Sequence, residues 1–405
     1  MKRELMETKP ERNQRKNFGK TRSNQLVMAI PVLLLAAIFA VSAQAQNDAI
    51  DQIYLSAGTV TTNIATVHAY PDPPQGFNPL KANDQELASY GFPTRPDQQA
   101  DPDHYAMWER AMLAAKIRWH GDLTTIKATE HRSAPTAMPN REPESVQPLA
   151  GPSQWSNINA AGVILNNTSK KFGKTSFNDI WTSITVPTVQ LPFDNTEGCT
   201  ASDYFSVSYA GFDGGLYFGE TPYFYPGEMA GVAEYVICSS GHSYYPAVVG
   251  WGDIFNTVFY LNPGDVFYTE LHAFGGCNSG TAFVEDLTTL TYNSYTISNP
   301  CTTPQVGKSA NWVVDRICCD GPAPYGAWPL ANTISTSFEG AEVLNGSGKA
   351  FYPGSQATTT QVLTMTDDGG DQAIELVSQG STGSQGLHSL SFVTTGCAYT
   401  GGCVP

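Results

Sequence analysis

The sequence predicts an all-β fold over residues 153–405, an antiparallel β-sandwich of the concanavalin-like or jelly-roll type with two packed sheets. Three observations lead there. Alternating or β-branched runs recur every eight to fifteen residues, Gly, Pro, Asn and Asp separate them, and almost nothing after Trp155 repeats at the helical period. The runs are AAGVILN (160–166), DIWTSITVP (179–187), YFSVSYAGF (204–212), GVAEYVICS (231–239) and TVFYLNPGDVFYTELHAF (257–274). GTAFVEDLTTLTYNSYTIS (280–298), ANWVVD (310–315), ANTISTSF (331–338) and TTTQVLTM (358–365) follow.

Ahead of this domain the texture differs. Residues 1–45 read as a signal peptide. A basic stretch (Lys2 to Arg22) precedes the apolar run 27–45, which ends in the small-x-small pattern Ala43-Gln44-Ala45. The run is also nearly long enough for a membrane anchor. Residues 46–132 form a prosegment-like or accessory region. Trp108, Met112, Ala115 and Trp119 recur at helical steps and predict one helix over 103–123, capped by Asp101 or Asp103. Residues 133–152 are a Pro-rich linker.

Charge is segregated along the chain. Residues 1–150 hold 16 basic and 16 acidic side chains, so the whole net charge of −15 belongs to residues 151–405. A surface so poor in Lys and Arg repels nucleic acid and anionic lipid, and it suits acid surroundings. All eight cysteines (Cys199, Cys238, Cys277, Cys301, Cys318, Cys319, Cys397, Cys403) lie in the C-terminal domain. In an exported chain they point to disulfides, with no pairing deducible. The expected product is a secreted or periplasmic monomer, not stably associated with membrane once the signal is cleaved. Neither metal nor cofactor is implied.

Along SANWVVD (309–315), Asn311, Val313 and Asp315 share one strand face. A carboxylate there either closes the strand in water or lies on the floor of a cleft. Six segments in order decide how it is read. QWSNINAAGVI, DIWTSITVP, SYAGFDG, NPGD with GTAFVEDLTT, SANWVVD and WPLANTISTSF resemble the eqolisins, secreted acid peptidases of the glutamic type. SANWVVD stands where that family has N-A-E-[FW]-I-[IV]-E-D. The resemblance implies a Glu acting as general base and acid, and a Gln amide that holds water and the oxyanion. It carries the Glu onto Asp315 and the Gln, through GEMAG, onto Met229. It also retains an acid at Asp213, while Gly250 replaces a carboxylate and Tyr209 a tryptophan.

Substrate is then expected at Tyr209, Trp251, Tyr223, Trp155 and Asn311. Tyr223 belongs to an aromatic-rich segment, GLYFGETPYFYPG, longer than its counterpart in the family. Glu228 reads as a solvated turn residue after Pro226-Gly227, or, through a one-residue bulge, as a partner for Asp315. His272 and Glu270 share a strand face, where a hydrogen bond at the strand edge outweighs metal binding. A shortened acid costs about 10²-fold in rate and a lost oxyanion donor about 10²–10³-fold. The resemblance therefore implies acid peptide-bond hydrolysis that is weak or lost. The alternative is a non-catalytic protein holding a peptide or glycan on the same sandwich.

Overall fold

The computed structural model describes residues 66–127, 153–157, 160–167, 172–192, 204–213, 227–238, 240–251, 254–276, 280–298, 305–316, 330–353, 360–366, 373–379 and 389–394. The expected signal peptide 1–45, the expected linker 133–152, Tyr223 with its aromatic segment, and every cysteine except Cys238 lie outside these residues.

The N-terminal region contributes β1 (Thr66–Ala69), β2 (Ile117–Arg118) and β3 (Thr124–Lys127), with helices α1 (Asp84–Ser89) and α2 (Pro102–Ala114). Then come β4 (Ser153–Asn157), β5 (Ala160–Asn166), β6 (Phe177–Thr185), β7 (Tyr204–Phe212), β8 (Glu228–Val236) and β9 (Ser243–Tyr244). They are followed by β10 (Pro246–Trp251), β11 (Ile254–Tyr260), β12 (Val266–Ala273), β13 (Gly280–Asp286), β14 (Thr291–Ser298) and β15 (Ser309–Asp315). The last are β16 (Ser335–Asn345), β17 (Ala350–Phe351), β18 (Thr360–Thr366), β19 (Ala373–Gln379) and β20 (Ser389–Thr394).

Most predicted runs lie largely in one strand, 257–274 and 280–298 each fold into two, and ANTISTSF enters β16 only at Ser335; the pairing makes two layers. The first sheet runs β3-β11-β10-β8-β7-β15-β5-β18. The second runs β1-β14-β13-β12-β6-β16-β20-β19. Pairing of β18 with β19 joins them along one side. Even-numbered residues of β7, β8 and β15 point between the sheets. Phe212, Val232 and Trp312 meet Phe267, Leu271 and Phe338 in the main core, which also buries Cys238. The odd-numbered residues make the outer face of the first sheet. There Tyr209, Met229, Ala233, Val313 and Phe255 form a separate buried cluster.

The N-terminal region is part of the same body. The helix predicted over 103–123 stops at Ala114, because the Ile117 and Trp119 amides bond to the Leu290 and Tyr292 carbonyls. Strand pairing with β14 thus overrides the helical spacing of Trp119. Helix α1 had its own signal: Asn83 and Glu86 form a reciprocal capping box. Helix α2 buries Trp108, Ala111 and Met112 against Trp181, Tyr268, Phe283 and Tyr292 on the outer face of the second sheet. Trp108 also donates its indole N–H to the Pro93 carbonyl at 3.1 Å. Trp108→Ala is expected to cost about 3–5 kcal/mol, read from chemical denaturation of the full chain. A loss under about 1 kcal/mol would mean that the helix is not part of the core.

Candidate active site

Strand register sets the outer face of the first sheet. Reading across it, Gln361, Ile164, Asn311, Gly211, Met229, Gly250 and Phe255 are directly opposed in one row. Opposed residues of antiparallel strands share a face. Gly211 is the hinge of this row. A Cβ there would lie 3.2 Å from the Met229 Cβ, 3.3 Å from the Asn311 Nδ2 and 2.7 Å from the Glu228 carbonyl oxygen. Met229 and Asn311 therefore converge over a residue that must lack a side chain. Asn311 is fully buried, and neither its Nδ2 nor its Oδ1 has a hydrogen-bond partner. An amide left so costs about 1–3 kcal/mol, an expense that sites bear more often than cores do.

Asp315 is on the same face but four residues along β15 from Asn311, opposite Val207 of β7. At about 3.4 Å per residue that is about 13 Å along the strand. Its Oδ2 accepts from the Tyr209 hydroxyl at 3.5 Å. The structure thus brings Asp315 to Tyr209, and Met229 to Asn311, but not Asp315 to Met229. The motif N-A-E-[FW]-I-[IV]-E-D contains two glutamates. Asp315 stands at the second and Asn311 at the first, and only the first shares a row with Met229.

The remaining expected site residues divide plainly. Asp213 has a left-handed backbone (φ 62°), and its carboxylate accepts from the amides of Val306, Gly307 and Lys308 at 2.6–2.8 Å. Burial pushes its pKa up, against those hydrogen bonds. Its oxygens hold the approach to β15, a structural duty beside the catalytic role expected of it. Trp251 points into the main core between the sheets, opposite Glu228, and so does not meet substrate on the outer face. Trp155 lies in β4 beside Leu363 of β18, and its side chain is outside the described residues.

Glu228 is the largest departure from expectation. It is neither solvated nor bulged toward Asp315. Pairing along β8 is regular, so Glu228 faces the sandwich interior, wholly buried. Gln305 donates from Nε2 to its Oε2 at 3.0 Å. The carboxylate packs directly over Gly280, where a Cβ would fall 2.2 Å from that Oε2. Burial above all raises the Glu228 pKa to about 8, with Asp213 adding to the rise and Gln305 and His272 opposing it. Glu234, three turns of the pleat further on, accepts from the Ser206 hydroxyl at 3.0 Å, and burial raises it to about 7. Glu228 and Gln305 are an acid–amide pair on the face opposite Met229, as fully buried as Asn311 and Met229 themselves. No spacing in the sequence announces them.

On β12, Glu270 and His272 do share a face, but they take different partners. His272 Nδ1 is 3.6 Å from Asp179 Oδ2, while Glu270 Oε2 is 3.5 Å from the His104 Nε2 of α2.

Fold and site together define a two-sheet sandwich whose first sheet carries one buried amide, Asn311, in an otherwise glycine-containing and largely apolar row, with no acid beside that amide among the described residues. Residues 158–384, more than half of the chain, match the Peptidase A4 family, and the chain belongs to that family, the eqolisins. Among solved structures it is similar to scytalido-glutamic peptidase bound to a transition-state analogue inhibitor. Identity is 16%, with 59% of this chain and 98% of that one covered, at a TM-score of 0.42. The eqolisin SCP-B in complex with the tripeptide Ala-Ile-His gives the same identity and coverage at 0.41. Aspergilloglutamic peptidase from Aspergillus niger gives 20% identity, 47% and 99% coverage, and 0.35. A comparison with curated proteins finds no match.

Proposed function

We propose that this chain is an exported glutamic-peptidase homologue that holds polypeptide against the outer face of its first sheet in acid surroundings and hydrolyses it slowly or not at all. One observation carries the reading: the side chains that converge over Gly211 are an amide and a thioether. Acid-catalysed amide hydrolysis needs a group that takes a proton from water and returns it to the leaving amine. Neither Asn311 nor Met229 can do so at any working pH. Asp315 is the one carboxylate among the described residues of that face, and its distance from Met229 separates the two halves of the expected pair. The basic-then-apolar leader and the eight cysteines support export and disulfide formation. Residues 66–127 supply edge strands to both sheets, which supports their staying with the sandwich after any cleavage in the linker.

The test is turnover of acid-denatured casein at about pH 3 by the full chain and by Asp315→Ala. Both are expected to stay near the no-enzyme background and to be indistinguishable. Vigorous turnover that disappears in Asp315→Ala would replace this reading with an aspartate-based peptidase.

A further inference from the structure

We propose that Asp101, His104 and Glu342 form a binding site for a divalent cation, zinc by preference, which ties α2 to the second sheet. Each residue offers one ligand atom, and the three atoms lie within 4.8 Å of one another. Asp101 caps α2 and His104 follows one turn later, while Glu342 comes from β16, far away in sequence. His104 is 1% exposed and Glu342 is 4% exposed. Asp101 Oδ2, Glu342 Oε1 and both ring nitrogens of His104 are buried without a hydrogen-bond partner.

The surroundings are those of a ligating histidine. The imidazole stacks on Trp181 with ring centroids 4.7 Å apart and planes 9° from parallel, which fixes its orientation. Its Nε2 faces Glu270 Oε2 at 3.5 Å, and Glu270 in turn accepts from the Tyr268 hydroxyl. A carboxylate facing one nitrogen favours a proton there and directs the other nitrogen toward a metal. That other nitrogen, Nδ1, is 3.7 Å from Asp101 Oδ2.

The local charge points the same way. Asp101, Asp179, Glu270 and Glu342 gather around His104 and His272, and no lysine or arginine among the described residues pairs with them. Buried carboxylates are compensated by a proton or by a cation, and a bound metal would serve as the latter. One imidazole nitrogen and two carboxylate oxygens with a free fourth position suit zinc, whereas calcium takes six to eight oxygens. Tetrahedral zinc at about 2.1 Å from each donor sets donors about 3.4 Å apart, so the widest pair of the triad closes by up to about 1.4 Å on binding.

The experiment strips the full chain with EDTA, returns it to chelator-free buffer at pH 6.5 and adds zinc, followed by gel filtration and elemental analysis. One zinc per chain is expected, with a rise in Tm of about 5 °C. His104→Gln and Glu342→Gln are each expected to weaken zinc binding at least about 10²-fold. X-ray absorption at the zinc edge of the wild-type protein is expected to show nitrogen and oxygen donors with one imidazole and no sulfur. This arm needs no variant to fold. No retained zinc with an unchanged Tm, unaltered binding in both variants, or sulfur or several imidazoles around the metal would each overturn the proposal. The first of these outcomes would assign the cluster to proton sharing alone.

Discussion

Stability of the full chain is expected to fall steeply as pH rises from about 4.5 to about 8. Glu228 and Glu234 are wholly buried and hold their protons in the folded protein up to about pH 8 and about pH 7. In the unfolded chain both ionise near pH 4.5. Between those values the folded state binds more protons, so each pH unit removes about 1.4 kcal/mol per group. The favourable contribution is complete below about pH 4.5 and is lost as pH climbs through the folded-state values. The loss amounts to several kcal/mol, against a total stability of about 5–15 kcal/mol for an ordinary domain. Differential scanning calorimetry from pH 3 to pH 9 should therefore place the highest Tm in acid. Glu228→Gln removes one of the two groups yet leaves an oxygen to accept from Gln305. Its Tm should vary less over the same window and lie above wild type at pH 8. A wild-type Tm that is flat from pH 4.5 to pH 8 would contradict the account.

The second large effect concerns chemistry. Asn311→Glu with Met229→Gln is expected to raise acid turnover of denatured casein by about 10⁴-fold over wild type. A general base and an oxyanion donor that work only as a unit together supply at least about 10⁴-fold, none of it recovered by either alone. The two positions lie on either side of Gly211, so the two replacements would stand side by side. Both sites are fully buried, so overpacking by the longer Glu works against the gain. Circular dichroism at pH 3 separates an unfolded variant from a folded, silent one. A folded double variant with wild-type turnover would remove this row as the place of the chemistry.

Strand positions were legible because near-continuous apolar, β-branched and aromatic runs, buried on both faces of the first sheet, are cut by Gly, Pro, Asn and Asp. NPGD between β11 and β12 and the Gly-rich segments between strands marked the turns. Helix α2 was legible at its start, through Asp101, but not at its end, since Ile117 and Trp119 are captured by β14. Capture by a distant strand leaves no local trace. The site was half legible. Asn311, Tyr209 and Met229 are indeed on one buried face, but which of them meet depends on register across β15, β7 and β8. A two-residue spacing fixes the face and says nothing of the row. Asp315 could therefore be placed on the right face and in the wrong row. Glu228 was misread for a related reason: the Pro226-Gly227 turn predicts exposure, whereas β10 and the second sheet cover it. His104 was invisible as a ligand because Glu342 comes from the far end of the chain.

The most direct measurement is a four-corner comparison of initial rates at pH 3: wild type, Asn311→Glu, Met229→Gln and the pair together. If the acid and the amide must touch across Gly211, each single change leaves turnover near background and only the pair gains, a strongly non-additive result. Rates that simply multiply, or full activity from either single change, would show that Asn311 and Met229 do not share one catalytic row.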